Sequence, residues 1–439
     1  MEMMALNWQS CFVSEKKIVE VGRRLAIEIE KVQHSIEKGY DTEYGFVNLP
    51  DDTVILKQVK SLCAEKNNTL KIKAVVVIGI GGSSLGTIAV HEALNGVLYN
   101  EKNPEIALYF VDTIDSDYLA SILKLVERRL MQGEDVLVNV VTKSGTTTET
   151  IVNFEIFLQL LKKHRPTNYF QHIVVTSDRD SQLWNYAQKN EISTLEIPKR
   201  VGGRFSVLSP VGLFPLVCVG VDIELLCAGA ASIVEFCVTK DIADNPAVLS
   251  AVVIFAQYLK GCAIHDTFIF SREMRAVGDW YRQLVGESLG KKENLSGQFV
   301  HVGITPTVSI GTNDLHSIAQ LHFGGPRDKF TTFVMLGKSR SELAVPDFEQ
   351  FEPFVENIQG KSVFSILQAI VSGTKSAYRS ENLPFISIEL PELSPFYLGQ
   401  FLQMKMLEIV YLGHLLDVNP FNQPQVELYK KETRRALLQ

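Results

Sequence analysis

The sequence predicts an α/β protein built on two doubly wound parallel sheets, each flanked by helices. Three observations carry this expectation. Short apolar runs rich in β-branched residues alternate with helix-length stretches, the signature of strands buried on both faces with crossover helices between them. The alternation occurs twice, separated by a Gly- and Pro-bearing break at 201–222 and a helical link at 223–260. The chain is 439 residues long, more than one core supports.

In chain order, residues 1–45 read as amphipathic helix. Ile18, Val21, Leu25, Ile29, Val32 and Ile36 recur at steps of three and four among charged neighbours. Residues 40–52 are turn-rich. Five strands follow at 74–80, 106–111, 136–141, 172–176 and 194–197, with helices near 84–97, 116–132, 147–164 and 181–190. That rhythm makes a doubly wound sheet with right-handed crossovers. Gly202, Gly203, Pro210 and Pro215 interrupt it. The second alternation has strands at 267–270, 299–304, 331–336 and 385–390. Its helices lie near 273–289, 312–322, 359–380, 395–416 and 424–437, and 346–353 reads as an acidic surface loop. The expected division is an N-terminal helical segment 1–50 packing on the second domain, a first domain 51–222 and a second domain 223–439.

Composition narrows the classes. Hydrophobic residues make up 46% and charged residues 21%, ordinary globular proportions. The net charge is −7, from 43 basic against 50 acidic residues, and no long basic run occurs. Nucleic acid and anionic membranes are therefore poor partners. The first eight residues carry Glu2 and no basic n-region before an apolar core, which argues against a signal peptide. The most apolar stretch, 207–234, is broken by Pro210, Pro215, Asp222 and Glu224, so it reads as buried helix rather than a membrane span. Cys11, Cys63, Cys218, Cys227, Cys237 and Cys262 form no C-x-x-C and have no zinc-finger spacing, which points to free thiols in a reducing cytoplasm.

The chemistry is sought beyond the carboxyl ends of the strands, where open α/β sheets bind ligands. After the first strand come Gly79, Gly81, Gly82, Ser83 and Ser84, followed by a helical run from Leu85. A strand that ends in a Gly-rich turn and feeds a helix offers backbone N–H groups to an anion, usually phosphate. After the third strand, residues 142–150 hold six hydroxyls and Lys143. Thr146 or Thr147 is placed to cap the next helix, but capping explains one or two hydroxyls rather than six. With Ser83, the loop suits a phosphate dianion. A dinucleotide turn fits less well: Ser84 stands at the sixth position of the glycine motif, and Glu101 lies in a turn-like stretch. A Walker loop fails because no G-K-[ST] follows the glycines.

Four further sites stand out. Arg204, behind Gly202 and Gly203, suits an oxyanion or a surface salt bridge equally. Glu287 follows a helical run over 280–285 and could serve as a proton-transfer base where burial raises its pKa. His316 falls in the first turns of an expected helix; with His322 six residues on, the pair lacks metal-ligand spacing. Gln423 and Lys430, seven apart after an Asn419-Pro420 turn, share a helix face if the helix begins early enough.

Together these residues resemble the glucose-6-phosphate isomerase (phosphoglucose isomerase) family in its short bacterial-type form. The motifs G-I-G-G-S at Gly79, [ST]-K-[ST]-x-T-T-x-E-T at Thr142, V-G-G-R-[FY]-S at Val201, E-S-x-G-K at Glu287, G-T-N-x-x-H at Gly311 and Q-x-x-V-E-L-x-K at Gln423 occur in family order. Each is weak alone; six in order are specific. The resemblance implies two sugar-isomerase (flavodoxin-like) domains, a cytoplasmic homodimer, and neither cofactor nor metal. The reaction it implies is the reversible isomerisation of glucose 6-phosphate and fructose 6-phosphate, through ring opening and a cis-enediol(ate). It matches Gly82, Ser83, Thr142, Lys143, Ser144 and Thr147 to the phosphate site and Glu287 to the base acting between C1 and C2. Arg204 matches the group that steadies the enediolate. His316, donated by the second subunit, and Lys430 match ring opening, and Gln283 and Gln423 match polar contacts to the substrate. Thr142 stands where many relatives have Ser, Ser144 where many have Thr, and Gly145 replaces a bulkier residue. The rival of another class is a non-catalytic sugar-phosphate-binding regulatory protein on the same fold. Such a protein would not need Glu287, His316 and Lys430 together.

Overall fold

The computed structural model describes residues 3–438. Met1, Glu2 and Gln439, and with them the Glu2 part of the signal-peptide argument, lie outside the described residues. The chain divides into two compact units. The first comprises Glu30–Ser232 with Asp279–Gln283, and the second takes the other described residues.

The chain starts with β1 (Ala5–Asn7), α1 (Glu15–Gly22) and α2 (Ala26–Lys38). Ser14 caps α1 by accepting from the Lys17 N–H. The helices were expected; β1 was not, because three residues are too few to show a period. In the first unit, Asp52 caps α3 (Thr53–Thr69), a helix missing from the sequence reading. Its buried residues Ile55, Val59 and Cys63 recur every fourth position, so the signal was present.

Next come β2 (Ile72–Ile78), α4 (Leu85–Asn95), β3 (Ala107–Val111), α5 (Ser116–Met131), β4 (Asp135–Thr142), α6 (Thr148–His164), β5 (Ile173–Ser177), α7 (Gln182–Lys189) and β6 (Ser193–Glu196). The strands pair in parallel in the order β3-β2-β4-β5-β6. This is the 2-1-3-4-5 order of a flavodoxin-like sheet, whose switch point falls between its first and third strands, here β2 and β4. Val76, Ile78, Val138, Val140, Phe154 and Phe157 belong to the core of this unit. The loops at 79–84 and 142–147 therefore leave the sheet where a ligand crevice is expected.

The break at 201–222 holds a buried helix, α8 (Pro210–Cys218), which begins with Pro210 at a first-turn position and Ser209 as its cap. The helical link resolves into α9 (Ile223–Cys237) and α10 (Pro246–Leu259). Asn245 ends the connection: it accepts from the Val248 N–H and donates to the Cys237 and Thr239 carbonyls at 2.9 Å each. All six cysteines are free and buried. No helix among the described residues is long and apolar enough to cross a membrane.

The second unit continues with β7 (Ile264–Ile269), α11 (Arg275–Leu289), β8 (Lys291–Glu293), β9 (Phe299–Val302), β10 (Thr305–Ile310), α12 (Ala319–Gly324), β11 (Lys329–Leu336), α13 (Val363–Ser380), β12 (Phe385–Leu390), α14 (Pro395–Leu415) and α15 (Glu427–Ala436). Its sheet runs β1-β12-β11-β7-β10, with β1 antiparallel at the edge and the other strands parallel. One strand differs from expectation. The apolar run beginning at Phe299 forms a small hairpin with β8, and the sheet strand is the next segment, β10. Thr305, Pro306, Thr307 and Ser309 disguise β10 as a loop. Within the fold, the hydroxyls of Thr307 and Ser309 donate to buried Asp266 at 2.6 and 3.0 Å. Such pairing makes polar residues tolerable in a strand that lies beside a buried carboxyl group.

Candidate active site

In the first unit, three loops converge at the carboxyl ends of β2 and β4. The turn after β2 packs on the turn over 203–205 so closely that a methyl group on Gly82 would lie 2.3 Å from the Gly203 carbonyl carbon. Only glycine permits that approach. The Ser206 hydroxyl reinforces it, bonding the Gly203 carbonyl at 2.6 Å and the Gly82 carbonyl at 3.4 Å. Gln283 reaches the same turn: a methyl group on Gly81 would meet its amide nitrogen at 2.9 Å. Ser83 is half-buried beside these contacts.

The hydroxyls of the loop after β4 face one another. Thr142 is buried, and its Oγ1 lies 3.0 Å from Thr147 Oγ1; Ser144 Oγ lies 3.4 Å from Thr147 Oγ1. Thr147 occupies the N-cap position of α6, as expected, yet its side chain makes no capping bond. Its hydroxyl belongs to the Thr142–Ser144 ring instead. The first N–H groups of α6 thus stand at the loop with the positive end of the helix dipole behind them, an arrangement that favours an anion.

Two cations, Lys143 and Arg204, lie on these loops. Lys143 is half-buried and its ammonium donates to the Val201 carbonyl at 2.8 Å. Burial pushes its pKa down, opposed by the nearby Asp178 carboxylate. An ammonium has three donors, so this bond leaves two for an incoming phosphate. Arg204 is 3% exposed and its guanidinium stands 5.4 Å from the centre of the Phe205 ring. A buried guanidinium is suited to oxyanions, because its fork matches paired oxygens.

In the second unit, Glu287 lies inside α11, one turn beyond Gln283 on the same helix. Its segment is fastened by Lys291, which is 6% exposed and donates to the Glu287 and Asn422 carbonyls at 2.6 Å each. That lysine thereby joins the end of α11 to the turn that carries Gln423. Lys291 carries no expected role from sequence, and its place in the E-S-x-G-K motif is the one signal for it. Gln423 precedes the short turn Pro424–Val426 and lies outside α15, so it shares no helix face with Lys430. The turn is set by Asn419, whose side chain accepts from the Phe421 N–H. Lys430 pairs with Glu427 one turn earlier on α15, at 2.7 Å. A cleft of about 220 Å³ beside Asn422 and Lys291 contains none of Glu287, His316 and Lys430.

His316 ends a 3-10 turn, Asn313–His316, between β10 and α12, rather than sitting in the first turns of a helix. Asp314 competes for the backbone there: it accepts from the Ile310 N–H at 2.6 Å and from the Ser317 hydroxyl at 2.8 Å. His316 is left exposed.

The chain is similar to several known proteins. The phosphoglucose isomerase family model matches residues 49–437. The chain is 35% identical over 408 residues to a glucose-6-phosphate isomerase of Carboxydothermus hydrogenoformans, covering 91% of this chain and 86% of that one. It is 33% identical over 394 residues to a glucose-6-phosphate isomerase of Thermus thermophilus, covering 90% of each. Among solved structures, a hypothetical protein of Thermus thermophilus superposes with a TM-score of 0.86 at 30% identity, over 99% of this chain and 100% of that one. A glucose-6-phosphate isomerase of Chlamydia trachomatis shares the fold, with a TM-score of 0.82 at 20% identity, over 100% of this chain and 89% of that one.

Proposed function

The chain belongs to the phosphoglucose isomerase family, and we propose that it divides aldose–ketose isomerisation among the residues described above. The reaction interconverts glucose 6-phosphate and fructose 6-phosphate, a step of glycolysis and gluconeogenesis. In this reading, Thr142, Ser144, Thr147 and Ser83 bind the phosphate with neutral donors, Lys143 supplies a charge, and Gly82 admits the substrate close to the backbone. The observation that carries the reading is the Thr147 hydroxyl, which stands at a helix N-cap without capping and instead completes a hydroxyl ring.

Isomerisation needs a proton lifted from a carbon beside a carbonyl. Glu287 acts as that base between C2 and C1, a contribution of roughly 10²–10⁴-fold for a positioned group. Negative charge then grows on O1 and O2, and Arg204 stabilises it as it forms. The remote phosphate holds the reacting carbons in register, converting binding energy into orientation. Ring opening moves a proton from O1 of the pyranose, or O2 of the furanose, and delivers one to the ring oxygen, O5. His316 and Lys430 perform this exchange, and Gln283 and Gln423 hold the sugar phosphate. The exposure of His316 supports its acting from the second subunit of a homodimer. The two sheets correspond in this reading to sugar-isomerase domains at 51–222 and 223–439.

A coupled assay for glucose 6-phosphate formation from fructose 6-phosphate tests the proposal. Purified protein should turn over; no turnover would overturn it.

A further inference from the structure

One buried polar group faces both ends of the segment that carries His316. On the incoming side, β10 presents Thr307 and Ser309 to Asp266 Oδ1 at 2.6 and 3.0 Å. On the outgoing side, α12 carries His322, which is 4% exposed. Its Nε2 faces Asp266 Oδ2 at 3.9 Å, and its Nδ1 lies 2.5 Å from the Tyr378 hydroxyl on α13. Asp266 is fully buried on β7, and its Oδ2 has no hydrogen-bond partner. Burial pushes the Asp266 carboxyl up and the His322 imidazole down. The carboxyl group opposite Nε2 favours a proton on that nitrogen, leaving Nδ1 to accept from Tyr378. Phe268 packs edge-on against the same imidazole, and Leu315, next to His316, packs on the aromatic cluster that includes Phe268.

We propose that Asp266, His322 and Tyr378 are positioning residues that hold the His316 segment in the geometry ring opening needs. The proposal rests on the ring-opening role given to His316 above. Displacing a catalytic group by about 1 Å can cost roughly 10²-fold in rate. A cavity of about 240 Å³, lined by His322, Arg327, Lys329, Thr331, Tyr378 and Leu383 among others, opens beside His322 and Tyr378.

The test compares fructose 6-phosphate with 5-deoxy-fructose 6-phosphate, which cannot close a furanose ring through O5. Tyr378→Phe removes one oxygen and endangers folding least; His322→Ala is assayed with and without free imidazole. Both variants should lose about tenfold or more in kcat on fructose 6-phosphate, keep its KM, and retain wild-type turnover of the deoxy substrate. Imidazole should restore much of the loss in His322→Ala. Equal slowing on both substrates, no slowing on either, or no effect of imidazole would overturn the proposal. His316→Ala run alongside separates the two readings. If it fails to discriminate between the substrates, the ring-opening role falls; if it alone discriminates, only the positioning role falls.

Discussion

The Lys143 ammonium donates to the Val201 carbonyl at 2.8 Å, tying the hydroxyl loop after β4 to the segment that presents Arg204. In the proposed reading, one side chain serves two tasks, charge for the phosphate and a fastening for the segment that carries Arg204. Lys143→Met should raise KM and lower kcat together, whereas loss of phosphate binding alone would move KM only. A hydrogen bond to a charged group is worth about 1.5–3 kcal/mol, so a loss of roughly 10- to 150-fold in kcat/KM is expected from steady-state kinetics. The pH dependence follows from burial, which lowers the Lys143 pKa. The ammonium should lose its proton below the ordinary lysine range near 10.4, and KM should begin to rise there. Lys143→Arg should remove that alkaline rise.

The Thr142–Ser144–Thr147 ring makes a milder prediction. Thr147→Val keeps the shape and removes one donor. It should raise KM a few fold, in line with about 0.5–1.5 kcal/mol for a neutral hydrogen bond, and leave kcat near wild type. Helix stability should be little affected, because this hydroxyl makes no capping bond. A thermal melt beside the kinetics checks both halves.

Gly82 tests the close approach of the two turns. A methyl group there would fall 2.6 Å from the Gly203 carbonyl oxygen and 2.7 Å from the Arg204 nitrogen, both backbone atoms. Neither can rotate away, so Gly82→Ala must part the turns. The expected outcome is a loss of about 1–3 kcal/mol in stability, measured by urea unfolding, with a fall in kcat as Arg204 shifts.

Acid stability should respond to His91, which is 5% exposed and whose pKa burial pushes down to about 4. In an unfolded chain a histidine titrates near 6.5, so between those values the unfolded state binds more protons. The stabilisation is present in full above about pH 6.5 and is lost as pH falls towards 4, up to ~3 kcal/mol. His91→Phe should flatten that part of the urea-midpoint profile relative to wild type.

Much of this molecule was readable from the chain because strands buried on both faces announce themselves. The five strands of the first sheet appear within two residues of expectation at each end. Reading failed where side-chain chemistry ran against the secondary structure. β10 is a sheet strand with four polar or proline residues in six, and its hydroxyls make sense only once Asp266 lies beside them. The adjacent Phe299-Val300-His301-Val302 run has strand composition but, among the described residues, pairs with β8 rather than with the sheet. The candidate site divides the same way. Loops with unusual residue types, such as 142–150, stood out in sequence. The fastenings that depend on distant partners, Lys143 to Val201 and Lys291 to Asn422, did not. A lysine bonded to a remote carbonyl leaves no local pattern.

The central claim is that the Glu287 carboxylate carries the proton between C2 and C1. Solvent-deuterium incorporation at C1 of fructose 6-phosphate, followed by NMR in D₂O, tests it directly. Wild-type protein should exchange that hydrogen during turnover. Glu287→Gln should lower exchange and isomerisation together by roughly 10²-fold or more while still binding the sugar phosphate. Exchange by Glu287→Gln at a rate near wild type would contradict the account.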